Sequence, residues 1–136
     1  MGVDMITQLD EQECLELLRT TTVGRIGFVQ EGRVLIIPVN FLLDDRSIVI
    51  RTAPDGPLST LASSRVLVAF EIDHHDNLAA SGWSVLLNGE VDTITEEHLA
   101  SLPGASSRLP WAEGDRSLLL RLTPTTISGR RVRRMR

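Results

Sequence analysis

The sequence predicts a mainly β fold: a small barrel of about six antiparallel strands with small helices on its periphery. Three observations predict it. Short runs rich in Val, Ile and Leu are joined by tight turns containing Gly or Asp. These runs do not alternate regularly with helical ones, as a doubly wound parallel sheet would require. The 136 residues suit one domain, spanning 1–136 with residues 1–6 and 132–136 expected to be flexible. A chain of this size buries roughly two-thirds of the surface that its unfolded form exposes, enough for a core without disulfides.

Taken in order, Asp10 followed by Glu13 is a capping-box variant with Asp as the cap. Cys14, Leu15 and Leu18 then form one apolar stripe, predicting a helix over 10–20 that the β-branched run Thr20, Thr21, Thr22 ends. The period changes at 23–29, a strand, and 30–33 is a tight turn in which Gly32 supplies φ > 0. The near-continuous apolar run 34–43 predicts a longer strand buried on both faces. Pro38 within it marks an edge, a bulge or a strand end, because it cannot donate to a ladder. A turn at 44–47 returns the chain as strand 47–52, completing an antiparallel meander.

Residues 53–57 form a loop, and Pro57 suits the first position of a short helix through Leu58 and Leu61. Strand 65–72, a polar loop at 73–77 and strand 82–91 follow, with Gly89 placed to mark a bulge. Thr95 caps a short helix whose first turn holds Glu96 and Glu97, where carboxylates suit the helix dipole. Pro103 and Gly104 end it, 103–116 is irregular and contains Trp111, and 118–123 is the last strand, with pairing extended beyond Pro124.

Composition narrows the function classes. Cys14 is the only cysteine, which rules out an intrachain disulfide and a cysteine-rich metal site and suits a reducing, cytoplasmic setting. The N-terminus lacks the pattern of a signal peptide, and no apolar stretch approaches the roughly 18 residues of a membrane span, so no membrane role is expected. All 14 basic residues are arginine, and five of them fall in the last seven positions. Setting those five aside takes the net charge from −4 to −9, so nucleic acid is an unlikely partner for this body. Any anion site must be built from Arg, hydroxyls and backbone N–H groups.

Asp73, His74, His75 and Asp76 have metal-binding residue types, but neighbours on an extended chain point opposite ways and the usual ligand spacings are absent, so no metal is expected. Cys14 lies on an apolar helix stripe and reads as a small core residue. No Gly-x-Ser-x-Gly elbow or Gly-x-Gly-x-x-Gly loop occurs. The segment from Ile50 to Leu58 is the strongest candidate site. A strand ends in Arg51 and Thr52, a Gly-containing loop follows, and a helix begins, which is the makings of an anion site.

Together, Val23–Phe28, Ile37–Phe41, Ile50–Pro54, Ser81–Val85 with Asn88 and Gly89, and the closing Leu122–Pro124 and Ile127–Arg131 resemble the pyridoxamine 5′-phosphate oxidase-like, flavin-binding split-barrel family in its small actinobacterial-type form. The resemblance covers 7–132 and rests on the order and spacing of these stretches. It implies a homodimer with two FMN molecules at the interface and an oxidoreductase function with the substrate open. Arg51 and Thr52, at the end of the strand that includes Ile50, would hold the phosphate. Pro38, Val39 and Asn40 would line the flavin ring through backbone groups, and Trp83 and Ser84 would reach it from the partner chain.

One departure is Pro57, where the family commonly has lysine. A charge-assisted contact contributes ~1.5–3 kcal/mol, so its loss weakens FMN about ten- to a hundredfold. The C-terminal signature of true oxidases of that vitamin is missing, so pyridoxamine phosphate is not supported as substrate. Two alternatives stay open: an enzyme using the deazaflavin F420, whose acidic tail the C-terminal arginines would meet, and a non-catalytic flavin-binding sensor. No residue stands out as an acid or base.

Overall fold

In the computed structural model, which describes residues 3–104 and 117–135, eight antiparallel strands form one curled sheet. They are β1 (Val3–Leu9), β2 (Val23–Gln30), β3 (Arg33–Asn40), β4 (Leu42–Asp44), β5 (Ser47–Thr52), β6 (Val68–Asp76), β7 (Ser81–Thr93) and β8 (Leu118–Met135). Helix α1 (Glu11–Leu18) follows β1, and α2 (Glu96–Ala100) follows β7. The order across the sheet is β3-β2-β6-β7-β8-β5-β4, with β1 added on β8. The curl brings β3 beside β5 although no ladder joins them, leaving the barrel split there. Among the described residues no helix is long and apolar enough to cross a membrane.

Local chemistry sets most of the boundaries. The Asp10 carboxylate accepts from the Glu13 backbone N–H at 2.8 Å, capping α1. The two-residue turn between β2 and β3 places Glu31 and Gly32 at φ 52° and 74°, the positive pair of a type I′ hairpin. Thr95 caps α2 by accepting from His98 N–H at 3.1 Å. At Gly89 the β7–β8 register shifts: Asn88 faces Thr126, Gly89 faces Pro124, and Thr125 is the extra residue, its hydroxyl donating to Asn88 O. Pro124 has no N–H to give there. A Cβ on Gly89 would lie 2.1 Å from Thr123 O, so the bulge requires glycine.

The main core fills the inside of the curl with alternate residues of five strands: Ile26 and Phe28, Ile48 and Ile50, Phe70 and Ile72, Val85 and Leu87, and Leu120 and Leu122. Cys14 and Leu18 of α1 close one end, and Phe41 meets Phe70 edge-on at 4.9 Å. A second, smaller core lies on the other side of the sheet, where Leu99 of α2 covers Leu42, Val49 and Leu119. This explains why 48–50 and 118–120 are apolar without alternation: both faces of β5 and β8 are covered there.

Several expectations are corrected. The run 34–43 is not one strand buried on both faces; it breaks at Phe41, and Val34 and Ile36 are 73% and 67% exposed. β3 is an edge strand, which is where Pro38 is tolerated, and only Leu35, Ile37 and Val39 pack inward. The polar stretch 73–76 is not a loop but the end of β6, held by pairing from Asp73↔Ser84 to Asp76↔Ser81. The helix expected from Pro57 is a four-residue 3-10 turn, Ser59–Ala62. Residues 3–6 and 132–135 lie in strands that the sequence reading did not assign, where β1 and the far half of β8 satisfy one another's backbone groups. Residues 105–116, including Trp111, lie outside the described residues.

A Cβ built on Gly24 would lie 2.2 Å from the Phe70 ring, whereas on Gly27 it would meet nothing closer than 3.8 Å. Gly24→Ala should therefore destabilise the protein by about 1–3 kcal/mol in urea denaturation, and Gly27→Ala by less than about 0.5 kcal/mol.

Candidate functional site

The candidate site begins at the end of β5. Side chains alternate along that strand, so Ile48 and Ile50 enter the main core while Val49 faces the second one. Ile50 is buried, and only its backbone is left for a ligand. The same alternation puts Thr52 on the core side and Arg51 on the side of α2. The guanidinium of Arg51 grips the Glu96 carboxylate with both terminal nitrogens, Nη1 donating to Oε1 at 2.6 Å and Nη2 to Oε2 at 3.1 Å. Arg51 is largely enclosed, with its side chain 15% exposed, whereas Glu96 is 59% exposed. The hydrogen bond from Arg51 holds the Glu96 carboxyl below its usual range; partial burial opposes this and the charge of Arg51 adds to it.

The loop after Thr52 is organised by Gly56 N–H donating to Ala53 O and Ser59 N–H donating to Gly56 O. Pro57 is exposed and brings neither cation nor N–H. The 3-10 turn that follows has no side-chain cap. Its four residues are too few for the dipole of a full helix, so the anion site expected from a helix N-terminus is reduced to Arg51, Thr52 and loop N–H groups.

The strand expected to line the flavin ring is β3. Pro38 and Asn40 are exposed on its outer side and Val39 packs half-buried against the core. The outward edge of β3 has no ladder partner among the described residues, so its backbone donors and acceptors are unclaimed by them, and the curl sets it beside β5. Trp83 and Ser84 lie on β7, three strand spacings from β3, or about 14 Å along the sheet. They point to opposite faces: Trp83 packs toward the core with His74 at 6.2 Å, and Ser84 faces outward opposite Asp73. One copy of the chain thus sets β3 beside β5, with the Asn40 end of β3 leading into the β4–β5 pairing that begins at Leu42↔Val49, and holds Trp83 and Ser84 three strands away on β7.

The outer face of the sheet carries charge that the sequence did not reveal. Arg25 Nη1 donates to Glu71 at 2.9 Å and to Asp73 at 3.1 Å. Burial raises the Glu71 pKa and the neighbouring Asp73 adds to the rise, while Arg25 opposes both. These residues edge an open groove of about 350 Å³ floored by Gly27, Ile36 and Ala69. A second cluster joins Asp44, Arg121 and His98 around α2, with Arg121 on Asp44 at 3.0 Å and His98 in contact with both. Cys14 is buried, and its surroundings raise the thiol pKa, first by desolvation and then through Asp10, Glu13 and Glu11. That environment suits packing rather than nucleophilic attack. Glu96 was legible only as a first-turn carboxylate; its partner lies 45 positions away, and no spacing rule connects them.

A family model described as pyridoxamine 5′-phosphate oxidase matches residues 10–131. The chain is 28% identical over 134 residues to an uncharacterized protein of Mycobacterium tuberculosis, covering 93% of this chain and 86% of that protein. Among solved structures, it is similar to the FAD binding protein from Mycobacterium smegmatis, at 30% identity and TM-score 0.70, with 93% of this chain and 98% of that one covered. A conserved protein of unknown function from Corynebacterium diphtheriae is 29% identical, with TM-score 0.70 and coverage of 92% and 96%. A FAD-binding protein from Mesorhizobium loti, 18% identical with TM-score 0.79 and coverage of 96% and 98%, shares the fold.

The depressed pKa of Glu96 predicts a pH dependence. Its folded value lies below the ordinary 4.5, so the pair's contribution to stability is present above that pH and is lost as pH falls through the folded value. The stability difference between wild type and Glu96→Gln, from urea denaturation, should be present at neutral pH and vanish in acid. A difference that persists in strong acid would show that the ion pair is not its source.

Proposed function

The chain belongs to the pyridoxamine 5′-phosphate oxidase family, and on that premise we propose that it is a flavin-dependent oxidoreductase whose cofactor sits between two copies of the chain. The observation that carries the reading is the meeting of β3's unpaired edge with the Arg51 end of β5. A flat apolar ring with a polar rim needs a strand wall with free backbone groups, and its phosphate needs a cation. Val39 and Pro38 suit the ring, the backbone of β3 suits its rim, and Arg51 with Thr52 suits the phosphate. FMN is the smallest nucleotide that engages both ends. The FAD-binding relative from Mycobacterium smegmatis supports a flavin.

When bound, the flavin supplies the redox chemistry, and the protein contributes binding, orientation and exclusion of water. The separation of β7 from β3 supports a homodimer, because any part of β7 that serves a ring on β3 would have to come from the second copy. So does the exposed apolar face of Val29, Val34 and Ile36, which solvent would otherwise meet. Use of F420 is the second reading. Arg130, Arg131, Arg133 and Arg134 lie on β8 on alternating faces, and Arg130 borders an open groove with Ser84, Leu86 and Glu71, where it would meet an acidic tail.

Titration of the purified protein with FMN, FAD and F420, followed by absorbance and fluorescence, tests these readings. Saturable flavin binding weakened at least tenfold in Arg51→Ala supports the first. Binding of F420 with no response to either flavin supports the second. Light scattering should give a dimer, and Ile36→Glu should give a monomer that no longer binds flavin, since it places a charge on the joining face. A wild-type monomer overturns the shared site.

A further inference from the structure

We infer that Glu96 sets the nucleotide preference of this site, disfavouring the phosphate monoester of FMN, which concentrates two charges on one phosphate, relative to the pyrophosphate of FAD, which carries one charge on each of two phosphates. The inference rests on the reading that a flavin binds with its phosphate at Arg51. Glu96 already occupies the two-nitrogen face of that guanidinium, which is the face that matches two oxygens of a phosphate. A phosphate that reaches Arg51 must displace this carboxylate or share the arginine with it, two anions on one cation.

The asymmetry of the pair shows which partner can give way. Arg51 is 15% exposed and fixed by the sheet, while Glu96 is 59% exposed and free to turn outward. Releasing Glu96 need not unfold α2. Leu99 stays packed on Leu42, Val49 and Leu119, the Ile94 N–H still donates to Leu119 O, and Thr95 still caps the helix. Once turned outward, the carboxylate of this neighbouring residue repels the phosphate seated at Arg51 in proportion to the charge on that phosphate. A phosphate monoester approaches two negative charges at neutral pH, because its second ionisation lies near pH 6; each phosphate of a diester carries one. Pro57 adds no cation, and no lysine occurs anywhere in the chain.

Dissociation constants for FMN, FAD and riboflavin, measured with wild type and with Glu96→Gln, test the inference. Riboflavin has no phosphate and reports the ring site alone. In the variant, FMN should bind about five- to tenfold more tightly, FAD should tighten less, and riboflavin should not change. Glu97→Gln, which removes a neighbouring exposed charge, should leave FMN binding as it was. Equal changes for all three ligands, an unchanged FMN constant, or weaker FMN binding, which would mean that Glu96 positions Arg51, each overturn it. If none of the three ligands binds either protein, the flavin reading fails and this inference fails with it.

Discussion

Strand β8 is the spine on which the fold is assembled. Over Leu118–Leu122 it pairs with β5 on one side, over Gly129–Met135 it pairs with β1 on that same side, and β7 lies along the other. Between these two partners, on the opposite edge of β8, the β7–β8 register shifts at Pro124 and Thr125, where proline has no donor and Gly89 lets the backbones approach. Three elements far apart in sequence are thereby brought to one strand. The Gly129 position is equally constrained: a Cβ there would lie 2.7 Å from Cys14 Sγ, so the same strand also seats α1.

Pairing with β8 also fixes β5, whose Arg51 end lies near β3 and bonds to α2 through Glu96. Arg51 ties this five-residue helix to the sheet, and in the proposed flavin site the same guanidinium would also have to serve the phosphate; in an acidic body without lysine these two demands compete. Arg121 stands in a similar arrangement beneath α2, shared between Asp44 and His98. The helix is therefore held by polar contacts at both ends of a small apolar patch, and not by its own length, which is too short for independent stability.

Much of the architecture was legible because it is written in local chemistry. The caps at Asp10 and Thr95 need only a side-chain oxygen three residues before an N–H. The turn at Gly32 needs positive φ, and the bulge at Gly89 needs a missing Cβ. The errors came where a run of apolar residues had to be assigned to faces. Val34 and Ile36 look like core residues, and so does Val49; α2 covers Val49, while nothing among the described residues covers the other two. The strand at the N-terminus escaped for a related reason, since Val3–Leu9 is stabilised by a partner more than a hundred positions away.

Arg51 shows the same division within one residue. The sequence alone determined that a strand ends in Arg51 and Thr52, that a turn follows, and that no lysine supports the pair. These are matters of neighbours within a few positions, governed by φ preference, alternation and residue type. Only the tertiary structure decided which side of the sheet each of Arg51 and Thr52 faces, that β3 comes to lie beside β5, and that Glu96 reaches the guanidinium. Those outcomes depend on how far the sheet curls and where α2 docks, and both are sums over strand pairings that no local stretch of sequence contains.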